Sequence, residues 1–300
     1  MSPLAVSSTD WFAQTKQRFE HELLNKLSQV SGPSSLLNEA MAYGLVDGGK
    51  RLRAMLVFAS GHAVDTPEAQ LVDAACAIEA MHAYSLVHDD LPCMDNDVLR
   101  RGKPTCHVKY GEAFALLAGD ALQTTAFQWL AQSGQGNAEV RLSQIAALSS
   151  ASGLQGMAAG QAIDLEHVGK NMNLAALQGM HARKTGDLIK ASVRMGYLSN
   201  PAIDSQAKAA LEDYADNLGL AYQTIDDILD VESSSEVLGK TSGKDALQNK
   251  PTVVSLLGLD QAKERLATFR NHALLACGVF SPSQRAPLET LVELITNRTS

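Results

Sequence analysis

The chain has 300 residues, 45% of them hydrophobic and 19% charged, which is enough for one large globular domain or two average ones. Its net charge of -8 argues against a nucleic-acid-binding protein, which would normally present a basic face. We find no uncharged apolar stretch of about 18 residues and no signal-peptide pattern, so we expect no membrane span and a cytoplasmic location. The four cysteines have no metal-ligand spacing, which favours reduced thiols; they are Cys76, Cys93, Cys106 and Cys277.

Helical periodicity dominates the chain, with apolar residues recurring at spacings of three and four. In chain order, the helical segments predicted from this pattern are 71–88, 113–131, 142–158, 174–197, 206–231, 252–269 and 286–297. Strand signals are weak, since aromatic residues make up only 5% of the chain and no Asn-Gly or Asp-Gly turn joins two alternating runs. Short breaks are predicted at 31–34, 133–137, 199–201 and 281–283. With no repeat or linker, we predict one all-α domain spanning residues 1–300.

The longest polar interruption runs from 232 to 250 and includes Gly239, Lys240, Lys244 and Lys250. A loop of this length inside a compact domain is more often a functional lid than a simple connection. We therefore predict that this segment closes over a bound anion.

Two aspartate pairs, Asp89-Asp90 and Asp226-Asp227, lie in apolar, helix-forming surroundings. A carboxylate among apolar side chains is costly unless a positive group neutralises it. Magnesium takes oxygen ligands and is usually held by a few carboxylates together with substrate phosphates. The two pairs therefore favour a shared metal site and a phosphorylated substrate.

The second pair extends into a triplet on one helix. Asp226 and Asp230 are one turn apart and share a face, and Asp227 lies about 100 degrees round the axis. Such a triplet can be a solvated helix face, but apolar residues interleave with the acids here. We favour a functional cluster.

The first pair lies next to a helix breaker. Pro92 should end or kink the helix near Asp90, and a short turn should return Asp95 to the side of Asp89. Basic residues follow at once: Arg100, Arg101 and Lys103. Metal between carboxylates with arginine on phosphate oxygens fits this pattern, and a surface ion-pair network is the structural alternative.

Three further groups are candidate phosphate contacts. Lys50 and Arg53 follow two glycines at a helix start, although Arg51 stands where a P-loop needs Ser or Thr and no strand precedes it. His82 lies two turns before Asp89, where a structural role is the alternative. Lys184 and Thr185 belong to a run that could also be a solvated basic patch. Gln161 and Asp164 could form a satisfied buried pair.

Taken in order, these motifs resemble those of the trans-prenyltransferases that elongate isoprenoid diphosphates. The resemblance covers roughly residues 40–260 and depends on several motifs together. The spacing of Asp89 and Asp95, with Pro92 between them, is similar to that of bacterial farnesyl diphosphate synthases. Asn96 departs from the Asp of many bacterial relatives, and Ala54 from a frequent Pro.

The resemblance implies an isoprenoid synthase fold, an all-α bundle around a central cavity, in a homodimer with three magnesium ions or manganese in their place. Asp89, Asp95 and Asp226 would be the principal metal ligands, supported by Asp90, Asp227 and Asp230. Arg100, Lys184 and Lys240 would hold the allylic diphosphate and take part in catalysis with these ligands. Isopentenyl diphosphate would be bound by Lys50, Arg53, His82 and Arg101. Thr185 and Gln223 could offer oxygen dipoles to the carbocation.

The expected product is (E,E)-farnesyl diphosphate, with fifteen carbons. Tyr84 and Ser85, one turn before Asp89, would form the floor that stops the growing chain. Geranyl or geranylgeranyl diphosphate synthesis is the closest alternative. His88-Asp89 also matches the HD dipeptide of metal-dependent phosphohydrolases, although further histidine ligands are not evident. A non-enzymatic regulatory subunit is disfavoured because both aspartate clusters are intact.

Overall fold

The computed structural model describes residues 8–46, 49–170, 172–232 and 251–298. Within these ranges the chain is almost entirely helical. The helices are α1 (Ser8–Gln29), α2 (Ser35–Leu45), α3 (Leu52–Ala63), α4 (Val72–Asp89), α5 (Cys106–Tyr110), α6 (Glu112–Ala131), α7 (Ala138–Ser152), α8 (Met157–Glu166), α9 (Leu174–His181), α10 (Asp187–Tyr197), α11 (Ser205–Glu232), α12 (Val253–Leu257), α13 (Leu259–Ala276) and α14 (Pro282–Thr296). A π-helical turn (Ala182–Gly186) joins α9 to α10, and two short 3₁₀ turns cover Glu68–Gln70 and Cys277–Val279.

One small hairpin interrupts the helices of the described ranges. Strands β1 (Leu99–Arg100) and β2 (Lys103–Pro104) pair antiparallel, with Leu99 opposite Pro104. The two residues of the turn, Arg101 and Gly102, have φ angles of 52° and 73°. Positive φ at both positions is the geometry that matches the twist of a tight hairpin. The all-α prediction is therefore confirmed, apart from this two-residue ribbon.

Two predicted helical segments are divided in the structure. The segment 142–158 breaks after Ser152: Gly153 caps α7 in an extended conformation, and α8 begins at Met157. The segment 252–269 breaks at Gly258, whose φ of 82° ends α12 and begins α13. The segment 174–197 is helical throughout but contains the π turn.

Helices α1 and α2 were not predicted from the sequence, and α3 was predicted only at its start, near Lys50 and Arg53. In α3 almost every residue from Ala54 to Ala63 is buried, so its apolar residues cover the whole helix and leave no amphipathic period. In α1 only Phe19 and Leu23 are fully buried apolar anchors. A helix that is buried all round, such as α3, and a helix with few buried apolar residues, such as α1, both lack a single apolar face. The 3.6-residue hydrophobic period is therefore weak in both.

The main hydrophobic core lies around α4, which packs against α3, α6 and α10. Small residues let these helices approach closely: a Cβ at Gly196 of α10 would lie 2.0 Å from Ser60 Oγ of α3. A second apolar cluster joins α9, α11, α12 and α13. None of the helices in the described ranges has the length and hydropathy that crossing a membrane requires. All four cysteines are free thiols, and Cys93 alone among them is exposed.

A network of charges fastens α10 to α11. Arg194 donates two hydrogen bonds to Glu212, at 2.7 and 2.6 Å, and the Tyr197 hydroxyl donates a third at 2.7 Å. Burial alone would raise the pKa of Glu212, but these hydrogen bonds outweigh it and lower the pKa to about 2. The pair therefore stabilises the helix that carries the second aspartate cluster.

Candidate active site

The first aspartate cluster lies where α4 ends. Asp89 is the last helical residue and Asp90 caps the helix, as Pro92 predicts. The chain then turns back, and the Asp95 N–H donates a 2.9 Å hydrogen bond to the Asp89 carbonyl oxygen. The predicted return of Asp95 to Asp89 is confirmed.

Asp89 has an unfavourable environment for a carboxylate. Burial raises its pKa to about 6, Lys184 acts in the opposite direction, and the neighbouring carboxylate of Asp95 raises it further. The protein alone does not fully neutralise the charge of the Asp89 carboxylate. A divalent cation bound beside it would stabilise the charged form.

Asp90 has a different role in the structure. It is only 3% exposed, and Arg100 binds it through two nitrogens, with Nε at 2.9 Å from both carboxylate oxygens and Nη2 at 2.7 Å from Oδ1. This bidentate pair fixes the hairpin against the end of α4. Asp90 positions Arg100, and a metal or phosphate contact of either residue would have to accommodate this pair.

A second group of cations lies next to the hairpin. Burial lowers the pKa of His82 well below its usual value, and Arg53 and Arg101 lower it further. The Nε atom of Arg53 is buried and has no hydrogen-bond partner. Arg101 also lies against the glycine turn, since a Cβ at Gly49 would be 3.1 Å from its Nε. The structure thus brings together three of the four residues predicted to bind isopentenyl diphosphate.

Lys50, the fourth, precedes α3 instead of lying on it. The helix begins at Leu52, because Arg51 adopts a left-handed conformation with φ 54°. Arg51 is buried and binds Glu20 at 2.8 Å and Glu79 at 3.3 Å. This ion-paired arginine anchors the turn that presents Lys50. Its structural role was not predicted, since Glu20 and Glu79 are remote in sequence.

The π turn presents Lys184 and Thr185. Lys184 Nζ donates to Asp164 Oδ2 at 2.6 Å, so the alternative of a solvated basic patch is wrong for this residue. The suggested Gln161–Asp164 pair is also wrong: Gln161 Nε2 is buried without a partner. A Cβ at Gly160 would lie 2.2 Å from the Lys184 backbone nitrogen, so only glycine lets α8 approach the turn. Such π turns are frequent at functional sites.

The second aspartate cluster divides between two environments. Asp227 is 3% exposed; its Oδ1 accepts from Gln223 at 3.0 Å and its Oδ2 from the Val253 N–H at 2.7 Å. Asp226 and Asp230 are partly exposed on the neighbouring face, as the helical spacing predicts. Asp227 therefore fastens α12 to α11, which the sequence did not indicate.

Arg298 is a site residue that was not predicted. It donates to Asp226 at 2.6 Å and to the Tyr222 carbonyl at 3.0 Å, and it lies 4.2 Å over the Tyr222 ring. Burial lowers the pKa of Lys50, the charge of Arg298 adds to this, and Asp226 opposes it. No local motif marks Arg298, which follows a helix in a short polar stretch.

The π turn has contacts with both aspartate clusters. Lys184 interacts electrostatically with Asp89, whereas the neighbouring Thr185 hydroxyl donates to Gln223 of α11 at 3.2 Å. The π turn therefore lies between the two aspartate clusters. On the other side, Lys50 interacts with Asp226.

The carboxylates fit magnesium by their chemistry, since they are hard oxygen donors. Within the described part of the chain, no three His, Cys, Asp or Glu side chains form a metal site by themselves.

The two chain-length candidates lie on α4 beside this site. Tyr84 is partly buried, its ring meets the His88 ring edge-on at 5.7 Å, and its hydroxyl is hydrogen-bonded to Gln123 of α6. The Ser85 hydroxyl donates to the His82 carbonyl at 2.8 Å. Tyr84 thus fills space between α4 and α6. Lys240 and the predicted lid lie outside the described residues, apart from Glu232.

Comparisons with known proteins agree with this geometry. The family model described as polyprenyl synthetase matches residues 34–274. The chain belongs to the polyprenyl synthetase family. A farnesyl diphosphate synthase of Escherichia coli K12 is 51% identical over 229 residues, which are 76% of this chain and 77% of that protein.

Solved structures of the family share the fold. A geranyltransferase from Legionella pneumophila superposes with a TM-score of 0.88 at 34% identity, covering 97% of this chain and 98% of the other. A geranyltransferase from Helicobacter pylori, complexed with magnesium and isoprenyl diphosphate, gives a TM-score of 0.85 at 33% identity over 98% of both chains. This polyprenyl synthetase therefore has the isoprenoid synthase fold.

Proposed function

We propose that this polyprenyl synthetase condenses isopentenyl diphosphate with dimethylallyl and then geranyl diphosphate, giving (E,E)-farnesyl diphosphate. The observation that carries the proposal is that charged side chains gather in two groups, each of which could hold an anion. One lies between the aspartate clusters and includes Lys184, and the other is the cation group around His82. Two sites suit a reaction that joins two diphosphate substrates.

The allylic site is built to hold a metal-bound diphosphate. Asp89, Asp95 and Asp226 are the proposed principal ligands of three magnesium ions, which manganese could replace. Asp90, Asp227 and Asp230 would act in support, Asp90 and Asp227 chiefly by positioning their neighbours. Magnesium, when bound, supplies positive charge that stabilises the departing diphosphate. Lys184 and Arg100 add cationic contacts, together with Lys240.

The isopentenyl site holds the second substrate in reach of the first. Lys50, Arg53, His82 and Arg101 would bind its diphosphate. Arg298 extends this group from the carboxyl end of the chain. Because His82 is held neutral by burial and by the arginines, it would serve as a hydrogen-bond donor and not as a charge.

The chemistry then needs no side-chain nucleophile. The allylic C–O bond breaks and its electron pair leaves with the diphosphate, where the cations stabilise the growing negative charge. The isopentenyl double bond attacks the carbocation, and the new cation loses a proton to the released diphosphate. Thr185 and Gln223, which are hydrogen-bonded to each other, would offer oxygen dipoles to the carbocation. Exclusion of water by the surrounding protein and the lid preserves the carbocation.

The proposal extends to the number of domains, the oligomeric state, the location and the partners of the protein. We infer one domain, a homodimer and a cytoplasmic location, with isopentenyl and allylic diphosphates as partners and no role for nucleic acid. The phosphohydrolase alternative is disfavoured by His88, whose Nε2 faces the Leu116 carbonyl at 3.0 Å. A Cβ at Gly119 would lie 2.0 Å from the same nitrogen, so this histidine is held against α6.

The decisive experiment incubates the purified protein with magnesium and geranyl diphosphate, with and without isopentenyl diphosphate. We expect a fifteen-carbon diphosphate only when both substrates are present, identified by chromatography of the dephosphorylated product. Phosphate release that does not depend on isopentenyl diphosphate would favour hydrolysis instead. Asp89→Ala and Asp226→Ala should abolish the condensation.

A further inference from the structure

The amino-terminal helix α1 holds the turn that presents Lys50. Lys16 Nζ donates a 2.7 Å hydrogen bond to the carbonyl oxygen of Gly49, 33 positions further along the chain. One helical turn after Lys16, Glu20 accepts from Arg51 Nε at 2.8 Å and from Nη2 at 3.2 Å. Lys50 therefore lies between two residues that side chains on one face of α1 hold in place.

The bond to Gly49 fixes the peptide group that leads into Lys50. The Gly49 carbonyl and the Lys50 N–H belong to one planar unit, so a donor on the oxygen also orients the start of Lys50. Gly49 also lies against Arg101, since a Cβ at Gly49 would be 3.1 Å from Arg101 Nε and 3.2 Å from its Cζ. A shift of the Gly49 peptide would therefore displace Lys50 and disturb the contact with Arg101.

Arg51 fixes the other side of Lys50. Its φ of 54° is unfavourable for a residue other than glycine and persists only where surrounding contacts hold it. Arg51 is 3% exposed, and besides Glu20 it binds Glu79 at 3.3 Å. Because the residue after Lys50 is fixed in this way, the freedom left to Lys50 lies at the Gly49 peptide.

The cations around this turn repel one another, which gives the support from α1 its importance. Burial lowers the pKa of Lys50, and the charge of Arg298 lowers it further. Burial also lowers the pKa of Arg101, and the charges of Arg100 and Arg51 add to this. A backbone held in place keeps these groups close together before an anion arrives, which reduces the cost of ordering them on binding.

We propose that Lys16 is a positioning residue for isopentenyl diphosphate, acting on Lys50 through the Gly49 peptide. This inference deepens the proposed function and rests on the assignment of isopentenyl diphosphate to this cation group. It adds to the site a residue of α1, which lies before the residues 34–274 that the family model matches.

The test measures both KM values and kcat of Lys16→Met and Lys16→Arg in the condensation assay. Methionine keeps much of the length of lysine but has no donor, so Lys16→Met should raise KM for isopentenyl diphosphate roughly tenfold. KM for geranyl diphosphate, kcat and the thermal midpoint should stay at the wild-type values, because Lys16 is only partly buried. Lys16→Arg can donate to the same carbonyl and should restore KM for isopentenyl diphosphate to within about threefold of wild type.

Lys26→Met is the matched control, because Lys26 lies on the same helix but pairs with Asp73 of α4. The substitution removes the same charge from α1 and leaves the buried Asp73 without this partner. We expect lower stability but unchanged KM values for both substrates. An equal rise in KM for isopentenyl diphosphate in Lys26→Met and Lys16→Met would show that loosening α1 is sufficient, and would overturn the specific role of Lys16.

Salt dependence separates positioning from simple attraction of the substrate. If Lys16 acted by its charge alone, the ratio of KM between Lys16→Met and wild type would shrink as the Debye length falls from about 10 Å at 0.1 M salt to about 3 Å at 1 M. We expect the ratio to hold. A shrinking ratio, or a wild-type KM for isopentenyl diphosphate in Lys16→Met, would overturn the positioning role.

Calorimetric titration of isopentenyl diphosphate into the magnesium-free protein tests the same role without turnover. Wild type should bind roughly ten times more tightly than Lys16→Met. Binding that depends on Lys16, in a protein that makes no prenyl product, would refute the proposed function and leave the positioning role standing. Product formation by wild type with undiminished binding in Lys16→Met would overturn the positioning role and leave the proposed function standing.

Discussion

Tyr84→Ala should lengthen the product from fifteen to twenty carbons or more. The phenol ring lies between α4 and α6, held by the His88 ring and by Gln123. Its removal takes away more non-hydrogen atoms than one isoprene unit adds, so the freed space accommodates a further addition. Because the ring is only partly buried, we expect a stability loss of about 1–3 kcal/mol, below that of a fully buried aromatic.

The assay is chromatography of dephosphorylated products after incubation with geranyl diphosphate and excess isopentenyl diphosphate. Ser85→Phe should act in the opposite sense and shorten the product toward ten carbons, because a bulky ring replaces a hydroxyl on the same turn of α4. Tyr110→Ala is the matched control, since the Tyr110 ring packs edge-on against the Tyr43 ring of α2 at 5.5 Å, and it should keep the fifteen-carbon product. If both α4 variants release only the wild-type product, the chain-length floor lies elsewhere and the reasoning is refuted.

Three further outcomes follow from packing and charge. Gly160→Ala should lower kcat by up to about 100-fold, because the added Cβ would lie 2.2 Å from the Lys184 backbone nitrogen and must displace the π turn. The control is Gly134→Ala, which should leave kcat unchanged because the space around Gly134 is open. Asp227→Ala should lower the free energy of unfolding by about 2–4 kcal/mol, measured by urea denaturation, since two hydrogen-bond donors lose their acceptor. Glu212→Gln should remove part of the acid-induced loss of stability. Glu212 contributes fully above its ordinary pKa, and this contribution is lost as the pH falls toward the folded value of about 2.

Each of these predictions has a result that would contradict it. A fully active Gly160→Ala enzyme would mean that the π turn need not keep its position. A variant lacking the Asp227 carboxylate but with wild-type stability would show that the bond to α12 is dispensable. Identical acid unfolding curves for Glu212→Gln and wild type would show that the charge network between α10 and α11 is not stabilising.

Local chemistry made the first aspartate cluster predictable from sequence. A proline cannot continue a helix, so Pro92 indicates both where α4 ends and that Asp95 returns to Asp89. The face shared by Asp226 and Asp230 follows equally from helical geometry. These features depend on residues fewer than ten positions apart.

Contacts between remote residues could not be predicted in the same way. Arg298 and Asp226 are 72 positions apart, and nothing near Arg298 marks it as functional. The same holds for Arg51 with Glu79, 28 positions away, whose pairing moves the start of α3 past Lys50. The sequence also shows that Asp227 is acidic, but not that its two oxygens face protein donors.

The central claim is that carboxylates from α4 and α11 hold one metal-bound diphosphate jointly. The most direct measurement is calorimetric titration of a non-reactive thio-linked analogue of geranyl diphosphate into wild type, Asp89→Ala and Asp226→Ala, with and without magnesium. We predict magnesium-dependent binding by the wild type and its loss in both variants, with helical content preserved. Stability should be equal or higher in Asp89→Ala, because carboxylate repulsion at Asp89 is relieved, and lower in Asp226→Ala, because Arg298 loses its carboxylate partner at 2.6 Å. Undiminished magnesium-dependent binding by either variant would contradict the account.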